Sequence, residues 1–304
     1  MSGTTREESA APAPEVRTLG VVGAGQMGGG IAHVAAASGL EVVLFDVQVG
    51  ALDKARATVA RNMERQVAKG TLDAAARDAA LGRIALAPEM AALGACDLVV
   101  EAATEREELK ARIYRDLAAH LRADAILATN TSSISVTRLA AATDRPERFV
   151  GMHFFNPVPV MQLVEVIRGI ATADATVAAV EALAARMGKT TAVAEDFPGF
   201  IVNRILLPMI NEAATALNEG VGTVAAIDTA MKLGTNQPMG PLQLADFIGL
   251  DTCLAILRVL QEGTGDPRYR PSPLLVKYVD AGWLGRKSGR GFYDYREDPP
   301  RPTR

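Results

Sequence analysis

Residues 17–46 read RTLGVVGAGQMGGGIAHVAAASGLEVVLFD, and the punctuation of this stretch decides the fold. A short apolar run, Leu19 to Val22, ends in glycine; the segment QMGGGIAHVAAASG has helical character and stops at Gly39; LEVVLFD is a second apolar run. Strand, turn, helix and strand within about 30 residues make a βαβ unit, whose crossover lays the two strands parallel. Inside it, Gly23-Ala24-Gly25-Gln26-Met27-Gly28 is a G-x-G-x-x-G. Alone the pattern is weak, but here it follows a strand and opens a helix. Gly23 can make the tight turn, Gly25 can admit a pyrophosphate to the backbone, and Gly28 can let the helix close on the strand. Gln26 and Met27 stand at the helix N-terminus, whose N–H groups and dipole suit phosphate. Asp46 ends the second strand, where a carboxylate accepts from a ribose and repels a 2′-phosphate, so the expected cofactor is NAD, with NADP disfavoured.

The same reading continues outward. RIALA (83–87), DLVVEA (97–102), AILATN (125–130) and RFVGMHFF (148–155) are mostly continuous apolar runs, as expected of strands covered by helices on both faces. QLVEVIRG, beginning at 162, and TTAVAE, beginning at 190, add two more strands. Segments 51–69, 105–121 and 172–187 have helical character; Glu108 and Arg112, at i, i+4, mark a solvated helix face. From Phe197-Pro198-Gly199 onward the pattern is helical only, over 200–219, 223–233, 241–262 and 272–281. The expected architecture is α/β: a disordered tail over 1–16, a Rossmann-type, doubly wound, mostly parallel sheet domain over 17–197, and an all-helical domain over 198–304.

With 304 residues and 49% hydrophobic content, the chain can build a substantial core. Its net charge of −3 supplies no basic field for nucleic acid, and no apolar stretch approaches the length of a membrane span. The N-terminal MSGTTREESAAPAPEVR lacks the apolar core of a signal peptide, so a cytoplasmic location is expected. Cys96 and Cys253 form no metal-ligand pattern and read as buried, reduced thiols, and no metal site is expected.

A nicotinamide makes hydride transfer the expected chemistry, and oxidising an alcohol also requires a base for the hydroxyl proton. The chain has 3 histidines. His33 lies on the glycine-loop helix and reads as a packing or surface residue. His153 falls at the carboxyl end of a strand, where open α/β sheets place their ligands. Glu165 lies on the next strand, and the intervening Asn156-Pro157-Val158-Pro159 can turn the chain so that the two strands run antiparallel and the imidazole meets the carboxylate. Such a pair suits a general base; the competing reading is a satisfied core histidine beside an edge charge.

Seven segments carry a resemblance: GAGQMGGGIA (23–32), LVVEAATE (98–105), TNTSSIS (129–135), GMHFFNPVPVMQLVEV (151–166), DFPGFIVNRIL (196–206), NQPMGPLQLADFIGLD (236–251) and GWLGRKSGRGFYDY (282–295). In these the chain resembles the 3-hydroxyacyl-CoA dehydrogenase family, most closely its bacterial branch acting on 3-hydroxybutyryl-CoA. The resemblance implies a Rossmann domain followed by a helical domain that forms a homodimer, and an acyl-CoA substrate. It implies that His153 is the base toward the 3-hydroxyl and Glu165 its orienting partner, and that Ser132 and Asn203 hydrogen-bond the reacting oxygen. Asn156, Glu105, Lys110, Lys287 and Ser132 then line the cofactor, and Lys69 meets the CoA nucleotide, although Asn62 stands where relatives place a serine. From the residues alone, Ser132 is equally a turn or cap, Asn203 a polar residue on a buried helix, and Lys69 a helix-end charge. A dehydrogenase of a free hydroxy acid or sugar acid, and a non-catalytic NAD(H)-binding sensor, are the alternative functions.

Overall fold

A computed structural model describes residues 15–304. The first fourteen residues of the expected tail lie outside the described residues, but its last one is packed: Val16 belongs to the core, and its carbonyl accepts from Arg186 at 3.1 Å. The chain divides into two compact units, one ending at Phe197 and the other beginning at Pro198.

In the first unit, eight strands form one sheet: β1 (Thr18–Val22), β2 (Glu41–Phe45), β3 (Ile84–Ala87), β4 (Leu98–Glu101), β5 (Ile126–Thr129), β6 (Phe149–Phe154), β7 (Leu163–Arg168) and β8 (Thr190–Glu195). Their spatial order is β3-β2-β1-β4-β5-β6-β7-β8. All neighbours pair parallel except β6 and β7, which are antiparallel, as the proline turn between them leads one to expect. The order reverses at β1, with β2 on one side and β4 on the other, so a crevice opens there above the carboxyl ends of the strands. The helices of this unit are α1 (Gln26–Ala37), α2 (Val49–Ala68), α3 (Ala74–Gly82), α4 (Glu107–Ala118), α5 (Val136–Ala140) and α6 (Asp174–Arg186).

Alternating strand residues feed two cores. Leu19, Val21, Val42, Leu44, Leu98, Val100, Met152 and Val166 pack with Ile31 of α1 and Val180 of α6. Residues of the opposite parity, such as Val99, Leu127 and Phe149, are also buried, and Tyr114 of α4 stands edge-on to Phe149 with ring centroids 4.9 Å apart. That double burial explains why the strands read as unbroken apolar runs.

The second unit contains α7 (Val202–Glu219), α8 (Val224–Gly234), α9 (Pro241–Ile248), α10 (Leu250–Thr264) and α11 (Pro273–Asp280), followed by turns and a two-residue strand pair, Tyr293–Asp294 with Arg301–Pro302. Its core joins Leu207, Ile210, Leu242, Leu257, Leu275 and Phe292.

The structure departs from the sequence reading at three elements. The segment 241–262, expected as one helix, is broken at Gly249, whose φ of +103° no helix accommodates. Helix α3 was not anticipated, because its alanines show no apolar period; it starts because the Asp73 carboxylate accepts from the Ala75 and Ala76 N–H groups. Short α5 is likewise set by capping: the Ser135 hydroxyl oxygen accepts from Arg138 N–H, and the Asp196 carboxylate accepts from Val136 and Thr137 N–H.

Candidate active site

The glycine loop connects β1 to α1. Gly23 takes φ +100°, and a Cβ there would lie 2.6 Å from the Ala103 backbone; a Cβ on Gly28 would collide with the Gly23 carbonyl oxygen. Gly25 has the opposite surroundings, with nothing within 4 Å of the position a Cβ would take. As the N-cap of α1 it offers no side-chain acceptor, so no side chain of the cap occupies the first N–H groups of the helix. These features suit a dinucleotide phosphate. Asp46 braces the loop: one carboxylate oxygen accepts from Ala24 N–H at 2.8 Å and the other from Gln48 N–H at 2.9 Å. Each oxygen keeps a further lone pair for a ribose hydroxyl. The Gln26 amide donates to Asn156 Oδ1 at 2.9 Å, tying the glycine loop to the turn after β6. Met27 is partly buried against the core.

Along the carboxyl edge of the sheet, buried polar side chains replace the apolar ones. Glu101 closes β4, Thr129 closes β5, His153 lies near the end of β6 and Glu165 is its register partner on β7. Parity puts all four on the face covered by α4 and α5, opposite the face of Val100, Met152 and Val166. His153 is 6% exposed and Glu165 fully buried, and Nδ1 of the ring lies 2.8 Å from Glu165 Oε2. The Phe155 ring packs against the imidazole, centroids 4.6 Å apart. The Asn130 amide oxygen accepts from Phe154 N–H at 2.8 Å, which fastens the loop after β5 beside the histidine strand.

That loop carries Ser132. Its hydroxyl lies 3.1 Å from Glu105 Oε1, an oxygen that also receives the Thr131 hydroxyl and the Ser132 and Ser133 N–H groups. Lys110, expected from the resemblance to line the cofactor, is 1% exposed, and its ammonium is turned to Glu101 Oε2 at 2.5 Å. Glu101 and Tyr114, which donates to the same oxygen at 2.9 Å, were not singled out from the sequence. An acid at the end of a buried apolar strand was the available signal. Burial raises the Tyr114 phenol well above its ordinary value, with Glu101 adding to the effect, so it acts as a donor.

Beside the glycine loop, a cavity of about 550 Å³ lies between α1, α2 and the 156–159 turn, lined by Gly29, Gly30, Lys54, Thr58, Asn62 and Val158 among others. Gly30 lets the turn close against α1, since a Cβ there would stand 2.9 Å from the Val158 side chain. A smaller cavity of about 220 Å³ next to it is lined by His33, Asn62, Arg65 and Lys69. His33 is buried, with Nε2 at 3.1 Å from Gln66 Oε1.

In the second unit, Asn203 lies in the first turn of α7 and is 9% exposed. Lys287 pairs with Asp251 at 2.5 Å, close to the break at Gly249. Both cysteines are free and fully buried. No helix among the described residues is long and apolar enough to cross a membrane.

Comparison with known proteins agrees along nearly the whole chain. Residues 18–197 match the family profile described as 3-hydroxyacyl-CoA dehydrogenase, NAD binding domain, and residues 199–295 match the C-terminal domain of the same family. The chain is 62% identical over 289 residues to a 3-hydroxybutyryl-CoA dehydrogenase of Bradyrhizobium diazoefficiens, covering 95% of this chain and 99% of that protein. A Bacillus subtilis protein named as a probable 3-hydroxybutyryl-CoA dehydrogenase is 51% identical over 283 residues, covering 93% and 99%. The crystal structure of an (S)-3-hydroxybutyryl-CoA dehydrogenase from Ralstonia eutropha matches with a TM-score of 0.92 at 52% identity, covering 93% of this chain and all of that one. The chain therefore belongs to the 3-hydroxyacyl-CoA dehydrogenase family, as an oxidoreductase that uses NAD.

Proposed function

We propose that the protein interconverts a short-chain L-3-hydroxyacyl-CoA, of the size of 3-hydroxybutyryl-CoA, and the corresponding 3-oxoacyl-CoA. The observation that carries this reading is the His153–Glu165 pair, buried at the carboxyl edge of the sheet that bears the glycine loop. Bound NAD supplies the hydride acceptor. Glu165 occupies Nδ1 and so directs proton exchange to Nε2, where the imidazole takes the 3-hydroxyl proton as the C3–H bond breaks. The imidazolium so formed is stabilised by the adjacent carboxylate. The Ser132 hydroxyl donates to the substrate oxygen, and in the reverse direction His153 returns the proton to it. For Asn203 as a second donor and Lys287 as a cofactor contact, the support is their place in the family motifs. Lys69, Lys54 and Arg65 give the α1–α2 cavities cationic walls suited to the phosphates of CoA.

A cytoplasmic homodimer joined through the helical unit accompanies this reading; Ile205, Val221 and Leu233 are exposed apolar side chains of that unit. The test is NADH consumption with acetoacetyl-CoA and longer 3-oxoacyl-CoA esters. Turnover fastest on the four-carbon ester is the expected result. A folded protein inactive on every ester, or equally active on free 3-hydroxybutyrate and its CoA ester in the oxidative direction, overturns the assignment.

A further inference from the structure

The Glu101 side chain is an unusual component of a stable core. It is fully buried, and its partner Lys110 is 1% exposed. A buried ion pair is seldom more stable than apolar residues of the same volume, because both ions lose their hydration. Its place beside the residues proposed to react points to a role other than stability.

The contacts lead from this pair to the reacting atoms. Glu101 Oε1 accepts from Ala103 N–H at 2.7 Å and Thr104 N–H at 3.4 Å, fixing the turn between β4 and α4. Glu101 Oε2 accepts from Lys110 Nζ and Tyr114 Oη. The same ammonium stands 4.0 Å from Glu105 Oε2. On its other side Glu105 Oε1 is approached by five donors at 2.7–3.1 Å: the hydroxyls of Thr131, Ser132 and Ser133 and the N–H groups of Ser132 and Ser133. One carboxylate oxygen cannot accept fully from five donors. The backbone amides are held in place by the loop, whereas a hydroxyl rotates. Ser132 Oγ, at 3.1 Å, can therefore leave Glu105 for another oxygen at small cost, since four donors remain.

We propose that Glu101, Lys110 and Tyr114 are positioning residues: they anchor Glu105, and through it they aim the Ser132 hydroxyl at the substrate oxygen. The inference rests on the reaction proposed above and gives Lys110 a task other than touching the cofactor. Without the ammonium, Glu105 loses the charge that draws it toward α4, and the 131–133 loop shifts with it. Small displacements of a reacting group are costly, so kcat is expected to fall about 10–100-fold.

A double-mutant cycle tests it. Lys110→Met should lower kcat with acetoacetyl-CoA measured at saturating NADH. In the Ser132→Ala background the same substitution should cost less than about 2-fold, because the group it aims is already absent. Lys110→Met leaves the Glu101 charge in the core without its counter-ion, so the neutral pair Glu101→Gln/Lys110→Met is made beside it. A purely structural role predicts that the pair regains both melting temperature and kcat; a positioning role predicts recovery of the first alone. Tyr114→Phe, which keeps the ring, carries the cycle where neither of the others folds: its loss of kcat should also disappear in Ser132→Ala. Equal losses in both backgrounds, or full rescue of kcat by the neutral pair, overturn the positioning role. A wild-type protein without turnover overturns instead the reaction on which it rests.

Discussion

Both units bury acids, and they use them differently. In the sheet unit, Glu165 and Glu101 meet titratable side chains, His153 in one case and Lys110 with Tyr114 in the other. In the helical unit, Asp228 and Asp246 are surrounded mainly by main-chain amides. Asp228 accepts from Leu242 and Gln243 N–H, which caps α9, and from the Tyr293 hydroxyl. Asp246 accepts from Phe292 and Tyr293 N–H and from the Tyr295 hydroxyl, which clamps the C-terminal segment onto α9. The approach is so close that a Cβ on Gly291 would collide with the Asp246 carboxylate. An acid paired mainly with backbone holds chain in place; an acid paired with a histidine or lysine side chain can serve the groups of a reaction.

The strongest way to break this contrast is to exchange the consequences. His153→Asn keeps an amide nitrogen near the position of Nδ1, so Glu165 retains a donor while the proton-exchanging nitrogen is removed. Loss of a general base costs about 10²–10⁴-fold in rate, and kcat should fall by that much with the melting temperature nearly unchanged. Asp246→Ala should do the reverse. It strands one buried and two half-buried donors and is expected to lower stability by about 3 kcal/mol in denaturant titration, with a far smaller change in kcat of the folded fraction. A stable but slow Asp246→Ala, or an active His153→Asn, would dissolve the distinction.

The difference between the units also governs what could be read from the sequence. Strands β1 to β7 were legible because each is a short, mostly apolar run, β8 because the β-branched TTAVAE follows a helix closed by Gly188, and the glycine loop because its turn requirements are local. The His153–Glu165 pairing was legible because Asn156-Pro157-Val158-Pro159 reverses the chain and the pairing register then does the rest. The Glu101–Lys110–Tyr114 cluster was not, since it assembles across a turn from the last residue of a strand and two successive turns of a helix. Glu105 entered only through family resemblance, and its five donors come from a loop 26 to 28 residues away. The Asp246 clamp joins residues 46 to 49 positions apart. Alanine-rich α3 and the break at Gly249 were missed for a local reason: neither leaves a mark in the apolar periodicity.

A smaller effect concerns pH. Burial outweighs the donors around Asp246 and pushes its carboxyl up from 3.8 to about 6, with Asp228 adding to the rise. The folded protein thus holds this proton more tightly than the unfolded chain does. The contribution of the group is fully present below about pH 4 and is lost as the pH rises through about 6, a change of up to about 3 kcal/mol. Asp246→Asn cannot titrate. The difference in unfolding free energy between wild type and Asp246→Asn should therefore shift against the wild type between pH 4 and pH 6.5 and be level above. A constant difference across that window would mean that the clamp does not respond to protonation.

The smallest expected effect is on the two thiols, one in each unit, and it reports whether the units open independently. Burial pushes both Cys96 and Cys253 up to about 12. Only a thiolate attacks an alkylating reagent, so neither cysteine should be modified by iodoacetamide at pH 7.5 while the chain around it stays closed. Modification then measures transient opening rather than intrinsic reactivity. Cys253 packs in the helical core with Leu242 and Phe292, the elements that Asp246 clamps together. Cys96 lies under the β1–β4 region, where its sulfur would be 3.1 Å from a Cβ placed on Gly20. In Asp246→Ala, mass spectrometry should find labelling of Cys253 accelerated and that of Cys96 unchanged. Acceleration of both would mean that the backbone-paired acid supports the whole chain, and the separation of roles between the two units would have to be given up.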